Sequence, residues 1–304
     1  MKRDFISLAD HPTEELGGLI ALAADMKRDP SAYRTALQGK TLGMIFNKQS
    51  TRTRISFEVG ILQLGGFPLY FSPNELQLTR GETFADTARV LSRYLDAVMI
   101  RTFAHADLVE FTRHASIPVV NGLTDYNHPC QALGDMLTLK ERLGTLAGRK
   151  LVYLGDPNNV AVSLLTACVK FGIHMTLVKP QGYQLDPSAL EEVRSEADAK
   201  GVGIHLTHDV ETGVAGADAV YTDTWTSMGQ EAEHARRQED LGGYQVNARV
   251  MSLARPGAVF MHCLPAHRGE EVAASVIDGE DSLVWDQAEN RLHIQKAILH
   301  HLMR

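Results

Sequence analysis

The sequence predicts an α/β protein of two doubly wound parallel-sheet domains, with the ligand cleft between them and a C-terminal helix packing back on the first. Three observations carry this. The chain has 304 residues, enough for about two domains at roughly 150 residues each. Hydrophobic residues make up 44% and charged residues 22%, ordinary globular values that argue against disorder, collagen-like repeats and coiled coil. Helical and strand-like stretches alternate throughout, the pattern of a parallel sheet covered by helices.

Leu16, Leu19, Ile20 and Ala23 repeat at helical spacing, and this amphipathic helix should end near Asp29-Pro30. Thr41–Phe46, Pro68–Phe71, Ala97–Ile100 and Ile117–Val120 read as buried strands, with helices near 53–64, 83–94 and 105–114 between them. A helix over Gln131–Leu143 leads to Gly144–Arg149, which has two glycines and little apolar periodicity; the domain junction is expected there. Leu151–Leu154, Met175–Val178, Ile204–Leu206, Ala219–Tyr221 and Ala258–Met261 form a second strand series, with helices near 159–171, 187–200 and 245–253. A last helix over Asp286–Met303 carries Ile294, Ala297, Ile298 and Leu302 on one face. The expected domains are 1–145, joined by the terminal helix at about 286–304, and 146–285. In such sheets ligands bind beyond the carboxyl ends of the strands.

The 30 Lys and Arg against 37 Asp and Glu leave a net charge of −7, the wrong sign for a nucleic-acid partner. Cys130, Cys168 and Cys263 are odd in number and far apart, which fits a reducing compartment better than a disulfide framework. The N-terminus carries Asp4, Asp10, Glu14 and Glu15 where a signal peptide needs an apolar stretch. No run approaches the ~18 apolar residues of a membrane span. A cytoplasmic protein with no membrane partner is expected.

Four motifs follow strands. Ser50-Thr51-Arg52-Thr53-Arg54 combines three hydroxyls, two guanidinium groups and the free N–H groups of a helix N-terminus, an anion trap suited to phosphate. The plainer alternative is N-capping by Ser50 or Thr51; a nucleotide P-loop pattern is absent. His128-Pro129-Cys130-Gln131 lies after a strand and opens a helix, where proline is also good helix chemistry. His262-Cys263-Leu264-Pro265-Ala266-His267-Arg268 offers two histidines and a cysteine but no paired zinc spacing, so no metal is expected and a lowered-pKa thiol fits better. Asp223-Thr-Trp-Thr-Ser227-Met228-Gly229 reads equally as a surface turn or as an acid for an ammonium group. Gly155-Asp156-Pro157-Asn158-Asn159 has one glycine where a dinucleotide fingerprint needs three, which argues against hydride transfer.

Together, Phe46 to Arg54, His128-Pro129-Cys130-Gln131, Asp223-x-Trp-x-Ser227-Met228-Gly229 and His262-Cys263-Leu264-Pro265 resemble the ornithine carbamoyltransferases of the aspartate/ornithine transcarbamylase family, in order along the whole chain. Gln49 departs from the proline usual before the first motif. The resemblance implies a cofactor-independent transferase of arginine metabolism, moving the carbamoyl group of carbamoyl phosphate to the δ-amine of L-ornithine to give L-citrulline and phosphate. It also implies a homotrimer with sites shared between subunits. Carried over by position, Ser50, Thr51, Arg52, Thr53, Arg101, His128, Gln131 and Arg291 would hold carbamoyl phosphate, with Gln77 entering a neighbour's site. Asn159, Asp223, Ser227, Met228, Cys263 and Leu264 would hold ornithine. Arg101, His128, Cys263 and Thr53 would be catalytic, Cys263 as a positioning thiolate oriented with Asp223 and not as a nucleophile. A non-catalytic two-lobed anion binder would use the same phosphate trap without needing His128 or Cys263.

Overall fold

The computed structural model describes residues 2–72, 75–76, 81–226, 229 and 231–304, the side chain of Glu231 excepted. It divides into two units, Met1–Leu137 with Glu289–Arg304, and Thr138–Ala288. The chain passes from the first unit to the second inside a helix, upstream of the glycine-containing segment 144–149.

In the first unit, strands β1 (Thr41–Phe46), β2 (Phe67–Phe71), β3 (Ala97–Arg101) and β4 (Val119–Leu123) form a parallel sheet in the order β2-β1-β3-β4. Helices α1 (Thr13–Arg28), α2 (Thr51–Gln63), α3 (Phe84–Leu91), α4 (His105–His114) and α5 (Pro129–Leu143) alternate with these strands or precede them. β1, β3 and β4 are buried almost throughout, so they read as continuous apolar runs. β2 corrects the expectation of a buried strand: it is the sheet edge, and Phe67 and Leu69 are exposed. β4 begins later than expected because Pro118 has no N–H for the ladder. It continues through Asn121 and Gly122, and Phe5 pairs beside Val120.

The second unit holds β5 (Lys150–Leu154), β6 (His174–Val178), β7 (Ile204–Thr207), β8 (Ala219–Thr222) and β9 (Val259–His262), parallel in the order β7-β6-β5-β8-β9. Its helices are α6 (Asn159–Phe171), α7 (Pro187–Lys200), α8 (Val210–Val214), α9 (His234–Leu241), α10 (Ala248–Leu253) and α11 (Ala274–Ile277), and α12 (Val284–Met303) returns the chain to the first unit. α6 and α7 end on Gly172 and Gly201 at φ 74° and 65°, left-handed caps that other residues adopt only at a cost. Val152, Leu154, Val178, Val220 and Phe260 lie in a core cluster of this unit.

α12 packs on the first unit through named contacts: Lys27 Nζ donates to Asn290 Oδ1 at 2.8 Å, and Lys296 Nζ to Gln63 Oε1 at 3.0 Å. Among the described residues no helix is long and apolar enough to cross a membrane.

Both sheets are doubly wound, so each has a point where successive connections leave in opposite directions, and ligands gather there. In the first unit that point lies between β1 and β3, in the second between β5 and β8.

Candidate active site

In the first unit the switch point brings two motifs together. Phe46 pairs with Arg101 across β1 and β3, so the loop after β1 and the Arg101 side chain start side by side. Ser50 caps α2, its Oγ accepting the Thr53 N–H at 3.2 Å. Capping of this kind is worth about 1 kcal/mol, and it leaves the other first-turn N–H groups and the positive end of the helix dipole for an anion. Thr53 is fully buried. Its hydroxyl oxygen accepts from Arg291 Nη2 at 2.7 Å and from Arg101 Nη1 at 3.5 Å.

His128, immediately before α5, is buried, and its imidazole is held well below its ordinary pKa. Burial is the largest cause, followed by the positive charges of Arg291, Arg101, Arg52 and Lys48. The ring is therefore neutral near pH 7, able to donate one hydrogen bond without adding a charge. Gln131, one helical turn on, donates from Nε2 to Asp135 Oδ1 at 2.8 Å. Buried arginines, a helix N-terminus and a neutral imidazole make a cluster of donors suited to an anion.

Two features of this cluster differ from the sequence reading or were missed by it. Arg54, counted with the anion trap, donates from Nε to Glu58 Oε1 at 2.9 Å and stacks 3.8 Å from the Tyr70 ring centre. Residues two apart on a helix point to opposite sides, so Arg52 and Arg54 cannot serve one ligand together. Lys48 was overlooked although it adjoins the motif. It is buried, its Nζ donates to Asp125 Oδ1 at 3.0 Å, and it lies over the Phe103 ring at 4.9 Å. Thr51 is exposed on the first turn of α2, and Gln77 lies outside the described residues.

The second unit builds its own cluster by the same rule. Leu154 pairs with Thr222, and Thr222 with His262, so the residues that follow β5, β8 and β9 emerge together. Asp223, just beyond β8, is buried. Its Oδ2 accepts from Asn158 Nδ2 at 2.7 Å; its Oδ1 accepts from the Thr224 N–H at 2.8 Å and from Cys263 Sγ at 2.9 Å. Asn158 also caps α6 through its Oδ1. Asn159 is the first residue of that helix, and Leu264 is partly buried against the core beside Cys263. Ser227 and Met228 lie outside the described residues.

The thiolate expected at Cys263 needs correction. A thiol that donates to a carboxylate is the neutral form, and a thiolate at that distance would face a like charge. Asn158 was missed because its capping role hides its second contact; its place beside Asn159 after a strand end was the available signal. Arg237 was also missed. It pairs with Asp156 at 2.6 Å and donates to the Trp225 carbonyl at 3.0 Å, tying the loops after β5 and β8. Tyr153, beneath them, donates to the Asp156 carbonyl at 2.8 Å. Its phenol is pushed well above the ordinary value by burial first, then by the charges of Asp223 and Asp156.

Among the described residues two groups of three could offer donors to a metal: Asp223, His262 and Cys263, and His267, Glu270 and Glu271, each with ligand atoms within 4.8 Å of one another. Each is one ligand short of a structural zinc site.

Both units match known protein families. Residues 3–141 match the family model "Aspartate/ornithine carbamoyltransferase, carbamoyl-P binding domain", and residues 147–302 match "Aspartate/ornithine carbamoyltransferase, Asp/Orn binding domain". The chain belongs to the aspartate/ornithine carbamoyltransferase family. It is 56% identical over 299 residues to the ornithine carbamoyltransferase of Symbiobacterium thermophilum, covering 98% of this chain and 96% of that one. It is 53% identical over 303 residues to that of Oceanobacillus iheyensis, covering 99% and 94%. Among solved structures, the ornithine carbamoyltransferase from Pyrococcus furiosus superposes with a TM-score of 0.96 at 49% identity, over 99% of this chain and 97% of that one.

Proposed function

We propose that this chain is an ornithine carbamoyltransferase: it transfers the carbamoyl group of carbamoyl phosphate to the δ-amine of L-ornithine, giving L-citrulline and phosphate, with no cofactor. The observation that carries the reading is the Thr53 hydroxyl, held by Arg291 and Arg101 beside a neutral His128. Attack by the amine on the carbonyl builds an oxyanion, and preorganised donors are worth most where charge develops. Thr53, Arg101 and His128 take that oxygen, and Gln131 the carbamoyl nitrogen. The carbon–oxygen bond then breaks with its electron pair going to phosphate, whose charge Ser50, Thr51, Arg52, Arg291 and the α2 N-terminus accept.

For the acceptor, Asp223 binds the α-ammonium, Asn159 the α-carboxylate, and Ser227 and Met228 the rest of the amino-acid end. Cys263 and Leu264 flank the δ-amine, the neutral thiol acting through its contact with Asp223. The ammonium gives one proton to solvent before attack, and the second, released as the new carbon–nitrogen bond forms, goes to the departing phosphate, which leaves as the hydrogen phosphate ion. Holding two small reactants in line supplies roughly 7–11 kcal/mol of the acceleration.

The assay is citrulline formation from carbamoyl phosphate with ornithine, acetylornithine, putrescine or aspartate offered separately. Turnover with ornithine alone is the expected result. Tight carbamoyl-phosphate binding with no product from any amine would instead identify an anion binder.

We also propose a homotrimer, with Gln77 of one chain entering a neighbour's site, in the cytoplasm. Ile55, Leu62, Phe67 and Leu69 are exposed on α2 and the edge strand β2, and a free edge with large apolar side chains is a surface that proteins usually cover. Sedimentation equilibrium should return three chain masses.

A further inference from the structure

We propose that Glu271 and His262 are positioning residues for the acceptor half of the reaction, a carboxylate and an imidazole that together close the turn carrying Cys263 and Leu264. The proposal rests on the reading above, in which this turn flanks the ornithine δ-amine.

Both side chains are completely buried. His262 Nδ1 accepts the backbone N–H of Leu264 at 2.8 Å. A ring nitrogen that accepts carries no hydrogen, so this contact leaves the ring hydrogen on Nε2. Nε2 lies 3.3 Å from Glu271 Oε1. The two are not aligned as a hydrogen bond, but a carboxylate this close attracts a hydrogen on Nε2 and so favours this tautomer over the one that would put a hydrogen against the Leu264 amide.

The pair is anchored at both ends. The His262 N–H donates to Gln287 Oε1 at 3.0 Å, and Gln287 Nε2 to the Tyr221 hydroxyl at 3.0 Å. Glu271 Oε1 accepts the His267 N–H at 2.5 Å, and the Glu271 carbonyl accepts the Val246 N–H at 2.9 Å.

What the pair holds is an unfavourable backbone. Leu264 sits at φ 59°, a left-handed conformation that a residue with a Cβ enters only when its surroundings impose it. Glycine would take it freely; here leucine is held there by a side-chain acceptor. The residue before it is Cys263, whose Sγ meets Asp223 Oδ1 at 2.9 Å. If the His262 acceptor is lost, Leu264 is free to return to an ordinary φ, and the rotation is passed to Cys263 and its contact with Asp223.

The test uses Glu271→Leu, Glu271→Gln and His262→Asn in the full-length protein. Glu271→Leu removes both the carboxylate beside Nε2 and the acceptor of the His267 N–H, and should raise KM for ornithine about tenfold, while carbamoyl-phosphate Kd stays within about twofold. Glu271→Gln keeps an oxygen dipole beside Nε2 and an acceptor for the His267 N–H, and should recover most of the affinity. Asn at 262 offers an acceptor without a tautomer to fix, so adding Glu271→Leu to it should cost less than about twofold. Iodoacetamide alkylation of Cys263 reads the turn without activity, Cys130 and Cys168 being buried. Glu271→Leu should speed it severalfold. If Glu271→Leu does not fold, His262→Leu removes the Leu264 N–H acceptor directly and carries the same expectations for ornithine KM and Cys263 alkylation.

Equal loss of both ligands, or an unchanged penalty in the His262→Asn background, would overturn the proposal. No citrulline from the parent enzyme would overturn the functional reading and this one with it. An active parent whose Cys263 alkylation ignores Glu271 would overturn this proposal alone.

Discussion

Arg291 on α12 donates from Nη2 to Thr53 Oγ1 on α2 at 2.7 Å, although 238 positions separate them in sequence. The last helix is thus part of the anion cluster and not only a packing element. A buried hydrogen bond from a charged donor is worth about 1.5–3 kcal/mol, so Arg291→Ala should weaken carbamoyl-phosphate binding by roughly 10- to 100-fold. Lysine reaches the same place without the planar fork and should restore only part of it. Calorimetric titration of the two variants checks this. Equal weakening of ornithine binding to the second unit alone would contradict it.

Shared sites make a prediction that no single variant can test. Gln77→Ala and Arg101→Ala should each be nearly inactive, yet mixing them under conditions of subunit exchange should restore part of the activity. Hybrid assemblies contain sites that draw both intact residues from different chains. Demonstrated exchange with no recovery would rule out sharing.

The Asp223 carboxylate is held by Asn158, by the Thr224 N–H and by Cys263. A buried α-ammonium needs a charged partner, so Asp223→Asn should raise ornithine KM by 100-fold or more, on the order of 3 kcal/mol, and leave carbamoyl-phosphate binding nearly unchanged. Asn158→Ala should give a smaller loss of the same kind, with reduced stability from the missing α6 cap. Steady-state kinetics with each substrate varied, alongside thermal melts, separates the two. A matching loss for both substrates would mean that Asp223 acts structurally.

The α/β class and most elements were legible because their signals are local. Val160 to Val169 and the Gly172 cap define α6, and Pro187 and Gly201 define α7. What sequence could not show depends on strand order. The edge position of β2 follows from which strand pairs with which, and apolar residues at Phe67 and Leu69 look the same in an edge as in a centre. α8, α9 and α11 were too short to leave a periodic signal. In the site, motif residues were found as motifs, but not their neighbours. Nothing in the spacing of Asn158 and Asp223, or of His262 and Glu271, announces a contact that only the alignment of β5, β8 and β9 creates.

The pH dependence should separate into two effects. The first concerns stability. Burial lowers the pKa of His128, His105, His293 and His300, whereas in the unfolded chain each titrates near about 6.5. As pH falls through that value the unfolded state takes up protons that the folded state refuses, so stability is full above about pH 6.5 and declines on acidification. Tm should therefore fall between about pH 7 and pH 5, and His128→Asn should remove part of that slope. The second effect concerns the substrate. The δ-amine resembles that of lysine, with a pKa near ~10.4, so at pH 7 only about 0.04% of free ornithine is neutral and nucleophilic. Burial and the surrounding cations lower the His128 pKa, so the rise of kcat/KM for ornithine from about pH 6 to above 8 should follow the neutral amine. Cys263→Ser keeps a hydroxyl donor to Asp223 in place of the thiol, so it should lower kcat/KM for ornithine while leaving carbamoyl-phosphate binding nearly intact and the rising slope unchanged. A profile that is flat over this range would refute the account of the amine, and one that bends between pH 6 and 7 in the parent but not in His128→Asn would show that His128 titrates there after all.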